Sequence, residues 1–198
     1  MKNIFLLFVI TVLLVSCGND KVVLRDSIGK INKVLVVTKS SDWEGSLGKE
    51  IRNSFGELMV GLPQPESILS VSQVAPNGFG TMMRVSRNIL VIGIGDEEKY
   101  FVKNNIYAQP QTVIYVYAKD DEGVVKMFKK HEKEIIKTFI QSDINRTQSL
   151  FRKNKLDDTQ FKTLQKLGVS FTIHNKFNTV DDTGEFLWLR HHLSSGIA

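Results

Sequence analysis

Arg190-His191-His192 sets two imidazoles side by side near the end of the chain, the residue type that a metal site needs. Adjacent side chains of a strand point to opposite faces, so these two cannot chelate one ion together. They are expected at a polar strand end, with His192 on the face of Trp188 and Arg190. His174 is expected in solvent, opposite Val169, Phe171 and Ile173. His131 is expected at the border of a helix's apolar stripe, hydrogen-bonded rather than acting as a base. Gly45-Ser46-Leu47-Gly48 misses the spacing of the Gly-x-Ser-x-Gly turn that presents a serine nucleophile. Asp157-Asp158 and Asp181-Asp182 are paired carboxylates, yet each stands by an expected turn or helix start, where aspartate accepts from free backbone N–H groups. Gly93-Ile94-Gly95 lacks the third glycine of a dinucleotide turn, and Asp96-Glu97-Glu98 would repel a pyrophosphate. Lys39-Ser40-Ser41 fits either an anion held by helix-terminal amides or a plain helix cap. Lys126, Lys130, Lys133 and Lys137 fall on one face of a helix, which reads as a solvated outer face. Any partner of that face would be an anionic membrane surface or a glycan. No aromatic side chain interleaves with it, so nucleic acid is not expected. No catalytic residue, metal-ligating set or cofactor site emerges, and no cofactor is expected.

Cys17 is the one residue whose setting points to a defined chemistry. Lys2 is followed by Ile4 to Leu14, apolar except for Thr11, and then by Ser16 and Cys17, the layout of an export signal. The apolar run is well short of the roughly 20 residues that cross a bilayer as a helix. Leu14-Val15-Ser16-Cys17 resembles the lipobox of bacterial lipoproteins, which implies a lipid on Cys17 and cleavage of residues 1–16. Cys17 is the only cysteine, so once it is acylated no thiol remains for a disulfide, a thiolate metal site or a cysteine nucleophile. Gly18 follows, where an aspartate would resemble an inner-membrane retention signal. The expected location is therefore the outer membrane, on the periplasmic side, with residues 17–30 as a tether.

These residues need a frame. The chain has 198 residues, 42% hydrophobic and 24% charged, with 26 cations against 21 anions, a composition that suits a globular domain and not a disordered one. Val34 to Val37 reads as a strand buried on both faces. Leu47, Ile51, Phe55 and Leu58 recur at helical spacing over about 46–58, with Ser40, Ser41 and Asp42 as capping candidates. Pro63 and Pro65 break regular structure. Strands are expected at 68–74, 88–94 and 112–117. A long helix begins at Asp120, its apolar stripe formed by Val124, Phe128, Ile135 and Phe139. A further helix over 159–166 stops at Gly168, with strands at 169–173 and 185–189. The expectation is one α+β domain over 31–198: a mainly antiparallel or mixed sheet with two to three helices packed on one face.

Several motifs taken in order carry a resemblance: Trp43-Glu44-Gly45-Ser46-Leu47-Gly48, Arg52, Phe55, Leu62-Pro63-Gln64-Pro65-Glu66, Phe79, Arg87-Asn88-Ile89-Leu90, Pro110-Gln111 and Phe186-Leu187-Trp188-Leu189-Arg190. Together the chain resembles a family of uncharacterised Bacteroidota lipoproteins, the domain of unknown function 4837. The resemblance implies location and fold kinship without a known activity. It also implies a longer C-terminal part than this chain has, which points to a truncated copy.

The function expected from these features is a non-enzymatic envelope lipoprotein that binds or scaffolds another component, an envelope protein or a glycan, at the membrane. Trp43, Arg52, Arg87, Trp188 and Arg190 are the candidate binding surface, because tryptophan and arginine are favoured at binding hot spots. A hydrolase acting on envelope glycan or peptide is the competing class, with its acid and base scattered through the fold. A truncated remnant without function is a third reading.

Overall fold

In the computed structural model, which describes residues 23–191, the aliphatic run becomes strand β2 (Lys33–Val37). It follows a two-residue strand β1 (Arg25–Asp26), so ordered structure begins inside the stretch expected to be a tether. Ser40 to Asp42 do not cap a later helix; they start one of their own, α1 (Ser40–Glu44), and Gly45 separates it from α2 (Ser46–Phe55). The chain returns as β3 (Ser70–Val74) and crosses by a 3-10 turn (Pro76–Gly78) and α3 (Thr81–Arg84) to β4 (Asn88–Ile94). Then come β5 (Lys99–Asn104), β6 (Ala108–Gln109), β7 (Thr112–Ala118) and the long helix α4 (Asp121–Lys153). A 3-10 turn (Asp158–Gln160), α5 (Lys162–Leu167), β8 (Phe177–Asp182) and β9 (Leu187–His191) complete the described chain.

The fold is α+β with a mixed five-stranded sheet, ordered β3-β2-β4-β7-β5. The first four strands run parallel and β5 pairs antiparallel to β7 at the edge. β1 pairs with β6, and β8 with β9, as separate two-stranded pieces. Alternation along the strands divides the core in two. Val34, Val36, Leu90, Ile92, Ile114 and Val116 meet Ile51 and Phe55 of α2 and Phe128, Ile135 and Phe139 of α4 on one face. Each of those buried phenylalanines contributes about 1.5–3 kcal/mol by leaving water. On the opposite face, Val37, Ile89 and Val113 are covered by Val74, Phe79 and Tyr107, so the short segment after β3 takes the place of a helix there.

Three local features differ from expectation. Residues 169–173 form no strand and make only a bridge, Lys155 to His174, at their end. β5 was not expected, because Tyr100, Phe101 and Val102 form a short apolar run between lysines without alternation; it is held as an edge strand by β7. β8 is a polar ribbon, Phe-Asn-Thr-Val-Asp-Asp, whose apolar periodicity is absent. The helix end at Gly168 is found as expected, with φ +64°.

Candidate functional site

Asp143 is the one acid that α4 buries, at 2% exposure. It continues the stripe of Ile135 and Phe139 by one more helical step, so its carboxylate is carried under the sheet end. Three donors converge on it. The Asn32 N–H lies 2.8 Å from Oδ2, Asn88 Nδ2 lies 3.0 Å from the same oxygen, and Arg87 Nη1 lies 3.2 Å from Oδ1. Asn32 can aim its N–H inward because it adopts the left-handed conformation, φ 57°, that asparagine tolerates. Arg87 is itself only 12% exposed. Arg87 Nε and Asn88 Oδ1 are buried with no hydrogen-bond partner among the described residues.

One helical turn further, Arg146 donates Nη1 to Ser27 Oγ and Nη2 to the Ser27 carbonyl at 3.0 Å. Ser27 Oγ in turn donates to the Pro110 carbonyl at 2.5 Å. Burial first, and then the charge of Arg87, lower the pKa of Arg146, while Asp143 and Asp26 pull it the other way. Gln111, 2% exposed, donates Nε2 to the carbonyls of Arg84 and Ser86 and accepts from the Tyr107 N–H. The N-terminal segment, the β4 start, the loop before β7 and α4 are thereby locked into one frame.

Beside this frame lies a groove of about 980 Å³. One wall is α4 from Glu134 to Lys153, a run about 28 Å long at 1.5 Å per residue. The other wall brings Val102, Asn104, Asn105, Pro110 and Gln111, with Asp26 at the rim. Thr138, Gln141, Ser142, Asn145 and Ser149 supply hydroxyl and carboxamide groups along the helix wall, between Lys137 and Lys153. Asp143 does not reach the groove; its neighbours Ser142 and Arg146 do. The Tyr100 hydroxyl lies near Glu134 and Thr138 without completing a hydrogen bond, and burial, then the Glu134 charge, push its pKa up to about 12.

The sequence candidates fall in three places. Trp43 and Arg52 come together: the guanidinium lies 4.6 Å from the ring centre and Nη1 donates to the Trp43 carbonyl at 2.9 Å. That contact, with Trp43 packed on the core, joins α1 to α2. Arg87 belongs to the Asp143 cluster. Trp188, 51% exposed, and Arg190 share the outer face of β9. Among the described residues these candidates therefore sit at the α1–α2 junction, in the Asp143 cluster and on β9. His131 stacks on Tyr100, ring centres 3.9 Å apart, and its Nδ1 lies 3.3 Å from Glu134 Oε2. Asp157 and Asp182 act as caps: Asp157 accepts from the Thr159 N–H, and Asp182 accepts from the N–H groups of Lys162 and Thr163 across 20 residues of chain. His192 and Cys17 lie outside the described residues. Among the described residues no cluster of three His, Cys, Asp or Glu is placed to hold a metal, and no helix is long and apolar enough to cross a membrane.

Sequence reasoning missed Asp143, Asn88 and Gln111. For Asp143 a signal existed: an acid four residues after Phe139, on the apolar stripe of an amphipathic helix, marks a buried charge that needs partners. A comparison with protein families now decides the kinship, since one family model matches residues 27–152. The chain belongs to the family described as a domain of unknown function, DUF8532. This replaces the resemblance to the domain of unknown function 4837, along with the Bacteroidota lineage it implied. Of the motifs behind that resemblance, Trp43, Gly48 and Arg52 form a helix junction, and Phe186 to Arg190 lie outside the matched segment. No curated protein and no solved structure matches the chain.

Proposed function

We propose that this protein is a lipid-anchored component of a bacterial envelope that binds a partner in the α4 groove and carries out no reaction of its own. The observation that carries the reading is the state of Asp143. The buried carboxylate most suited by position to chemistry is 2% exposed and holds three donors, so it braces the frame and has no path to a substrate. The groove beside it offers amide and hydroxyl groups, which recognise and orient a ligand without activating it.

The export signal and lipobox-like Cys17 supply the location, the outer membrane facing the periplasm. Seven residues, 18–24, separate Cys17 from β1, a reach of about 28 Å at most over the steps from Cys17 to Arg25. Asp26 of β1 stands at the groove rim, so the groove would be held close to the membrane surface. The test is in-cell cross-linking of the lipidated protein, followed by mass spectrometry of what co-purifies, with Cys17→Ala as control. One envelope component recovered with the native protein and lost with Cys17→Ala is expected. Membrane retention of Cys17→Ala overturns the anchor, and recovery of nothing above control overturns the binding role.

A further inference from the structure

The groove has a shape and a charge pattern that narrow its ligand. Its helix wall runs for about 28 Å along α4, which suits a linear polymer better than a small compact molecule. Thr138, Gln141, Asn145 and Ser149 repeat along that wall at one-turn intervals. The row holds two hydroxyls and two carboxamides; Gln141 Nε2 donates to Asn145 Oδ1 at 2.9 Å, and the remaining donors and acceptors can meet hydroxyl and acetamido groups along a chain. Lys137 and Lys153 both line the groove 16 residues apart, about 24 Å along α4 and about 160° around it, so they flank the polar row from opposite edges. Neither makes an ion pair among the described residues. Lys130 and Lys133, also exposed and without ion pairs, continue the cationic row from Lys137 toward the start of α4.

Other polyanions fit less well. A single-stranded nucleic acid is held by aromatic stacking, and no aromatic side chain lines the groove. A membrane surface is flat and cannot enter a concave groove. An extended peptide needs apolar pockets at alternate side chains, and Val102, Pro110 and Leu150 are the main apolar groups there.

We propose that the α4 groove is a binding site for a linear glycan that carries carboxylate groups, with the polar row contacting the sugars and Lys137 and Lys153 pairing with the carboxylates. The inference rests on the binding role proposed above and names its ligand class. The probe is a hyaluronan oligosaccharide long enough to span the groove, which alternates acetamido and carboxylate sugars, titrated calorimetrically into the full lipidated chain in detergent. Two comparison probes are a neutral chitin oligosaccharide of equal length and poly-glutamate.

Hyaluronan is expected to bind more tightly than either comparison probe. Lys137→Ala combined with Lys153→Ala is expected to weaken it about tenfold, and Lys49→Ala combined with Lys162→Ala, the same charge removed elsewhere, to leave it unchanged. Poly-glutamate binding as tightly as hyaluronan, or equal losses in both double variants, overturns the glycan assignment in favour of unspecific charge attraction. If no glycan binds while cross-linking still recovers an envelope protein, the glycan inference fails and the binding role stands. If both experiments are empty, both fail.

Discussion

Asp143→Ala tests the frame on which the groove depends. The substitution removes the acceptor from three donors at once and leaves the Arg87 guanidinium, 12% exposed, without a counter-charge. Breaking one partner out of a buried pair costs about 3–5 kcal/mol, mostly the penalty of the stranded charge. Arg87 keeps a little contact with water, which places the expected loss near the lower end, about 3 kcal/mol. Against a total stability of about 5–15 kcal/mol this is a large fraction. For a chain of this size it corresponds to a fall of about 6–12 °C in Tm.

Urea and thermal unfolding followed by circular dichroism would read the loss. Arg87→Met combined with Asp143→Leu removes both charges together, and should be less destabilised than the sum of the single changes by at least about 1 kcal/mol. A loss under about 1 kcal/mol for Asp143→Ala, or strict additivity in the cycle, would refute the claim that this carboxylate braces the fold.

Gly48→Ala addresses the α1–α2 junction. A Cβ there would lie 1.8 Å from the Trp43 carbonyl oxygen, so the helices must separate, with a loss of about 3 kcal/mol or more and a shift in Trp43 fluorescence. Asp182 contributes on the acid side, since its pKa is lowered first by its hydrogen bond from the Thr163 hydroxyl and then by backbone N–H groups. A depressed folded value means that this cap stabilises the chain above the ordinary carboxylate range and is lost as pH falls through the folded value. The Thr163 amide signal in NMR should report that loss at low pH, and Asp182→Asn should remove the transition.

Much of the frame was legible because its residues obey a period. Val34 to Val37, Asn88 to Ile94 and the stripe through Val124, Phe128, Ile135 and Phe139 bury what their spacing says they bury. Gly168 ended its helix because the left-handed turn there suits a residue without a Cβ. β5 was hidden because an edge strand draws half of its stability from its neighbour, and the sequence Lys-Tyr-Phe-Val-Lys-Asn does not show that neighbour. The site was hidden for a stronger reason. Asn32, Arg87, Asn88 and Asp143 come from three places in the chain, and only the turn before β2, the start of β4 and the second half of α4 bring them within hydrogen-bond distance. Arginine and tryptophan were singled out by type, and type does not separate Arg87, held by a buried carboxylate, from Arg52, folded over its own Trp43.

The limits of the matched family segment have a physical counterpart in the same contacts. The match starts at residue 27 and ends at residue 152. Ser27 is the residue that Arg146 holds through both its hydroxyl and its carbonyl, and Lys153 is the last residue of α4. A chain whose first matched residue is clasped by the last turns of its final matched helix is closed on itself, with the sheet, both packed helices and the Asp143 cluster inside the clasp. Most of the groove lies inside those limits too, from Val102 to Leu150, with Asp26 and Lys153 each one residue beyond them. Trp188 and Arg190 lie beyond them, on a ribbon tied to α5 by Asp182 and by the pair of Lys166 with Glu185, 3.0 Å apart. The proposed binding role rests on the groove and its lysines, so removing the Trp188 side chain should leave glycan affinity intact, whereas Lys137→Ala should not.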